Sequence, residues 1–146
     1  VRKVSDIMTK DCVTVTPKDN IYECAVLMKQ HDIGFLPVVE GRKLIGVVTD
    51  RDLVIRGYAN KNPGSESVMN VCTQDVETIS PNLSVDEAGA RMAANQIRRL
   101  PVVENGELLG VISIGDLAMR EIFVSEAGEA LSGISEHEHR EPSFTH

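Results

Sequence analysis

The sequence predicts an α+β fold made of two β-α-β-β-α repeats, related by a pseudo-twofold axis and packed into one module. Three observations carry this. Two segments of the 146-residue chain, Pro17 to Arg56 and Pro81 to Arg120, align without gaps at an offset of 64, with 15 of 40 aligned positions identical; such self-similarity marks an internal repeat. Each copy shows the same order of helical and strand-like patterns. Each copy alone, at about 60 residues, would bury too little surface to be stable, so a shared interface is expected.

The elements follow in order. Cys12 to Thr16 reads as a short extended stretch that stops at Pro17. Asp19 or Asn20 can cap a helix running to about His31, with Ile21, Cys24, Ala25 and Met28 at helical spacing. Gly34 is expected to end that pattern, with His31 capping its carboxyl end. FLPVVE and LIGVVT are apolar runs joined by the turn GRK, and DRDLVIRGYA reads as a helix stopping near Gly57. The second copy repeats this with Ser84 to Asn95, LPVVE, the turn Asn105-Gly106, LLGVIS and a helix from Ile114 to about Ile122. Asn-Gly between apolar runs is a strong hairpin signal. Upstream the repeat is looser: Thr14-Val15-Thr16 faces Thr78-Ile79-Ser80, and Met8 faces Met69 after a small length adjustment. The expected division is residues 1–59 and 71–123 for the repeats, with a polar linker at 60–70 and an acidic tail, partly disordered, at 124–146.

Composition narrows the function. Apolar residues make up 42 % and aromatics 3 %, with no Trp, so the core is aliphatic and a site stacking bases on several rings is disfavoured. A net charge of −7 argues against nucleic-acid binding. Three cysteines, Cys12, Cys24 and Cys72, lack C-x-x-C spacing, so neither a disulfide framework nor a zinc site is read; a reducing cytoplasm is the expected setting. No apolar stretch reaches membrane-spanning length, and the amino-terminal residues do not read as a signal peptide. His137 and His139, in EHEHRE, read as part of a solvated tail rather than a metal patch. No nucleophile–base set, paired carboxylates or phosphate loop is found, so the chain is read as non-catalytic and in need of no cofactor. Redox chemistry at Cys12 or Cys72 lacks an activating constellation.

The pattern apolar-x-apolar-Pro-Val-Val followed by Gly-apolar-apolar-Thr/Ser-x-x-Asp, twice in one short chain, resembles the CBS-domain family. Two in tandem resemble a Bateman module of the small stand-alone prokaryotic kind. The resemblance covers Ser5 to Arg120. It implies a regulatory sensor, paired as a disc-like homodimer, that binds AMP, ADP, ATP or a related adenosyl compound such as S-adenosylmethionine between its repeats and acts on an unidentified regulated protein. It implies that Asp52 and Asp116 hold ribose hydroxyls and that Thr49 and Ser113 face phosphate. Crosswise assembly then gives two sites. The first joins Thr49, Arg51 and Asp52 to Asp75, Val76, Ile97, Arg98 and Arg99. The second joins Ser113 and Asp116 to Cys12, Val13, Ile33, Gly34 and Phe35.

The chemistry is consistent with these roles. A carboxylate can accept two hydrogen bonds from a cis-diol. A hydroxyl at a helix amino terminus sits beside free N–H groups and the positive dipole end, which suits phosphate. Arg51, Arg98 and Arg99 make the first site the expected binder of charged nucleotides. The second, with Gly115 in place of Arg51 and Gly34-Phe35 in place of Arg98-Arg99, is expected to hold an uncharged adenosine compound or nothing. Thr/Ser-x-x-Asp is also the spacing of a capping box, and an assembly module without a nucleotide ligand would carry the same residues.

Overall fold

The computed structural model describes residues 2–118. Helices are α1 (Val4–Ile7), α2 (Ile21–His31), α3 (Asp50–Asp52) and α4 (Val85–Asn95); strands are β1 (Phe35–Glu40), β2 (Lys43–Thr49), β3 (Arg99–Glu104) and β4 (Glu107–Ser113). A further helix begins after β4, with residues 114–118 described. The expected end of that helix near Ile122, the tail at 124–146, and His137 and His139 lie outside the described residues.

Local chemistry sets the boundaries. Asn20 starts α2 through a reciprocal capping box: the Glu23 N–H donates to Asn20 Oδ1 (2.8 Å) and the Asn20 N–H to Glu23 Oε1 (2.9 Å). Ser84 does the same for one arm at α4, accepting from the Glu87 N–H at 3.1 Å. The expected stop at Gly34, with His31 as cap, is corrected: α2 closes at Asp32, which takes the left-handed conformation with φ 52°, as Gln96 does at φ 55° after α4. The hairpin turn Asn105-Gly106 has positive φ at both residues (54° and 82°), which matches the right-handed twist of the strands it joins.

Two further expectations shift. The stretch Cys12–Thr16 contributes a single parallel bridge, Val15 to Val38, mirrored by Ile79 to Val102. The helix after β2 does not stop at Gly57. One α-turn gives way to a π-helical segment, Leu53–Gly57, and a 3-10 turn, Tyr58–Asn60. Gly57 is buried, and a Cβ there would stand 3.2 Å from Ile21 Cδ1. Its missing side chain therefore serves packing on α2 rather than termination.

Each hairpin is antiparallel, and the sheet order is β1-β2-β4-β3. The hairpins meet where Lys43 pairs with Glu107. There the Leu44 N–H donates to Gly106 O (3.0 Å) and the Leu108 N–H to Arg42 O (2.8 Å). These two bonds are the same contact read from either repeat, which places the pseudo-twofold relation at this crossing.

The cores are knitted crosswise. Val68, Val71 and Cys72 pack with Leu36, Val38, Val48, Cys24 and Met28 of the first hairpin and α2. Val4, with Ile7 and Met8 beside it, packs with Leu100, Val102, Ile112 and Met92 of the second. The leading segment of each repeat thus completes the other repeat. Thr9 pairs with Val111, and Thr73 with Val47. These contacts continue the offset of 64 without a gap, so the counterpart of Met8 is Cys72 and not Met69.

Candidate functional site

Both Thr/Ser-x-x-Asp turns form closed capping boxes at the start of a helix. The Asp52 N–H donates to Thr49 Oγ1 (3.1 Å) and the Thr49 N–H to Asp52 Oδ2 (3.0 Å). The Asp116 N–H donates to Ser113 Oγ (3.1 Å) and the Ser113 N–H to Asp116 Oδ2 (2.9 Å). Each cap engages one carboxylate oxygen. A carboxylate has about four acceptor positions, so capping leaves capacity for a diol. The helix starts are stapled to the residue that precedes each hairpin: the Asp50 N–H donates to Gly34 O (3.0 Å) and the Ile114 N–H to Arg98 O (2.8 Å).

The second set of residues gathers around one cleft of about 250 Å³, lined by Cys12, Val13, Ile33, Phe35, Ser113 and Asp116, with Thr9, Asp11, Pro37, Arg99 and Val111. Gly34 is not on its wall. It is buried beneath Asp50, and a Cβ at that position would lie 2.6 Å from Asp50 Oδ2. Asp11, Thr9, Pro37 and Val111 were not anticipated. Asp11 had a signal, because the offset of 64 pairs it with Asp75, already a candidate.

The first set is placed differently. Thr49 and Asp52 are half-buried and joined by their cap, while Arg51 is exposed and its N–H donates to Asp50 Oδ1 (2.8 Å). Asp75 is exposed and Val76 half-buried, on the segment that Thr73 fastens to β2. Ile97 packs against the second core, and Arg98 is exposed. Arg99, expected at the first site, lines the cleft of the second. Arg99 is the direct cross-strand partner of Ser113, as Phe35 is of Thr49, and both line this one cleft.

The cleft has aliphatic and ring walls from Val13, Ile33, Phe35, Pro37 and Val111 and three charged groups, Asp11, Asp116 and Arg99. Among the described residues, no carboxylate lies within ion-pair distance of Arg99. Cys12 donates its thiol to Thr9 O at 3.3 Å. Burial, then the Asp11 carboxylate, push this thiol above its ordinary range, against a smaller opposing effect of a backbone hydrogen bond at Val111. Burial likewise raises Cys72 and pushes Cys24 up to about 12. All three are neutral thiols at physiological pH, the opposite of what an activated nucleophile requires. Among the described residues no group of His, Cys, Asp and Glu could hold a metal ion, and no helix is long and apolar enough to cross a membrane.

Comparison with known proteins agrees with this architecture. The family profile described as CBS domain matches residues 4–57 and 68–121. The uncharacterized protein YlbB of Bacillus subtilis is 44 % identical over 146 residues, covering 99 % of both chains. The CBS domain-containing protein YhcV of the same organism is 42 % identical over 132 residues, covering 90 % of this chain and 94 % of its own. Among solved structures, the CBS domain pair of protein MJ0100, in complex with 5′-methylthioadenosine and S-adenosyl-L-methionine, superposes with a TM-score of 0.73 at 26 % identity, covering 82 % of this chain and 99 % of the other.

Proposed function

The chain belongs to the CBS-domain family, and from that premise we propose that it is a non-catalytic regulatory module holding an adenosine-containing ligand in the Ser113–Asp116 cleft. One observation carries this reading: the cleft brings a capped carboxylate, a helix start, a half-buried arginine and apolar walls from both repeats to one place. Asp116 accepts from the ribose hydroxyls, the helix amino terminus and Arg99 receive an anionic group, and the aliphatic walls take the base. The MJ0100 pair, described in complex with two adenosyl compounds, supports the ligand class. A ligand bridging both repeats would stabilise one relative geometry, which a cytoplasmic partner protein would read.

Calorimetry with AMP, ATP, 5′-methylthioadenosine and S-adenosylmethionine tests the proposal. At least one is expected to bind, and Asp116→Asn is expected to weaken it by about tenfold or more, because hydrogen bonds to a charged acceptor are lost while an amide still caps the helix. No heat from any of the four at millimolar concentration would end this reading.

A second reading, self-association, is favoured by the outer face of the first repeat. Tyr22 and Tyr58 are 65 % and 83 % exposed, and Val54 and Ile55 about half exposed. Tyr22, Val54 and Tyr58 border a hollow of about 440 Å³ with Ala25, Met28 and Leu53. Such a contiguous apolar patch marks an interaction surface. Sedimentation equilibrium is expected to show a dimer that Tyr58→Glu dissociates; a wild-type monomer at 100-fold dilution and at high concentration alike would rule it out.

A further inference from the structure

We propose that the Ser113–Asp116 cleft selects adenosyl ligands with little or no net negative charge, and that Asp11 sets this preference. The inference rests on the ligand reading above and narrows it. Of the charged groups lining the cleft, two are carboxylates and one is a guanidinium. Asp116 is committed to its cap through Oδ2. Arg99 is half-buried and has no ion-pair partner among the described residues, so it can neutralise one anionic group.

A second or third phosphate finds no further cation on the walls and meets Asp11 instead. The Asp11 carboxylate is near enough to the Cys12 thiol, itself on the wall, to hold its proton more tightly. Lys10 and Arg42 do not line this cleft. They line a neighbouring hollow of about 190 Å³ with Cys12, Thr14 and Val39, and Arg42 is paired with Glu107 at 3.6 Å. A sulfonium or ammonium group on the ligand would gain from Asp11 what a polyphosphate loses. A single carboxylate or monophosphate would be met by Arg99.

The test compares affinities of 5′-methylthioadenosine, S-adenosylmethionine, AMP and ATP at low and moderate salt for a chain whose first site is weakened by Asp52→Asn, then for the same chain with Asp11→Asn and with Glu104→Gln, an exposed carboxylate that lines neither site. Asp11 is exposed, so the amide variant is expected to fold, and a thermal scan checks this. The expected order places methylthioadenosine and S-adenosylmethionine ahead of ATP. Asp11→Asn is expected to shift the ratio of ATP to S-adenosylmethionine affinity about three- to tenfold toward ATP, less at higher salt, and Glu104→Gln to leave it alone. If ATP binds tightest, or if Asp11→Asn moves the ratio no more than Glu104→Gln does, the selectivity proposal is overturned and the ligand reading stands. If none of the four binds, the ligand reading fails and this inference falls with it.

Discussion

Alanine at Gly110 is expected to destabilise the folded chain by about 3 kcal/mol, from overpacking and lost hydrogen bonds together, and to pull the amino-terminal wall away from the Ser113–Asp116 cleft. A Cβ at Gly110 would stand 2.6 Å from Thr9 O and 2.9 Å from Met8 Sδ. The sulfur can swing aside. The carbonyl cannot, because the Thr9 and Val111 backbones exchange hydrogen bonds of 2.8 and 3.0 Å across this point. The segment must lift, and with it Thr9, Asp11, Cys12 and Val13, all of which line the cleft. Urea titration reads the stability, and the rate of Cys12 alkylation reads the wall, since Cys24 and Cys72 are buried. Unchanged values of both would mean that the crossing has slack which the distances deny. Gly46 is in the same position against Thr73 O, also at 2.6 Å, and the same loss is expected there without a change at Cys12.

Leu36→Ala and Leu100→Ala are each expected to cost about 3 kcal/mol, within the range for a leucine removed from a tightly packed core, and to lower Tm by about 10 °C for a chain of this size. The two residues stand at equivalent positions and are 0 % and 1 % exposed. Each sits in a different cluster, yet each cluster holds a segment borrowed from the other repeat. Loosening one therefore releases chain that anchors the other. A single transition is expected for both variants by circular dichroism and by tyrosine fluorescence, whose reporters Tyr22 and Tyr58 both lie in the first repeat. A Leu100→Ala variant whose tyrosines melt at the wild-type temperature while half the helix signal is lost early would show two independent units.

Much of the fold was legible because its signals are local. Asn20, Ser84 and Asn105-Gly106 announce their caps and turn within four residues, and the repeat supplies each element twice. The crossing of Val4–Met8 and Val68–Cys72 was not legible, because a buried apolar residue does not declare which of two similar cores it enters. The candidate site was drawn as runs of consecutive residues, and extended chain does not present consecutive residues to one side. Ile33 and Phe35 line the cleft and Gly34 does not; Arg99 lines it and Arg98 does not; in the amino-terminal segment, by contrast, Asp11, Cys12 and Val13 all line it. The alternation alone would have separated Arg98 from Arg99 and removed Gly34. Which cleft receives Arg99 was not legible, because Phe35, its counterpart 64 residues earlier, lines the same cleft.

The crosswise exchange of leading segments also bears on ancestry. A lone copy of this repeat would carry a leading segment with no core of its own to fill and a core with no segment to fill it. Two identical copies trading those segments would close both, as in a domain-swapped dimer. A duplication that joined the copies end to end would need only the few residues between Asn60 and Ser67 to span them. Once fused, the two halves would be free to diverge, and they now differ at the matching positions Gly34 and Arg98.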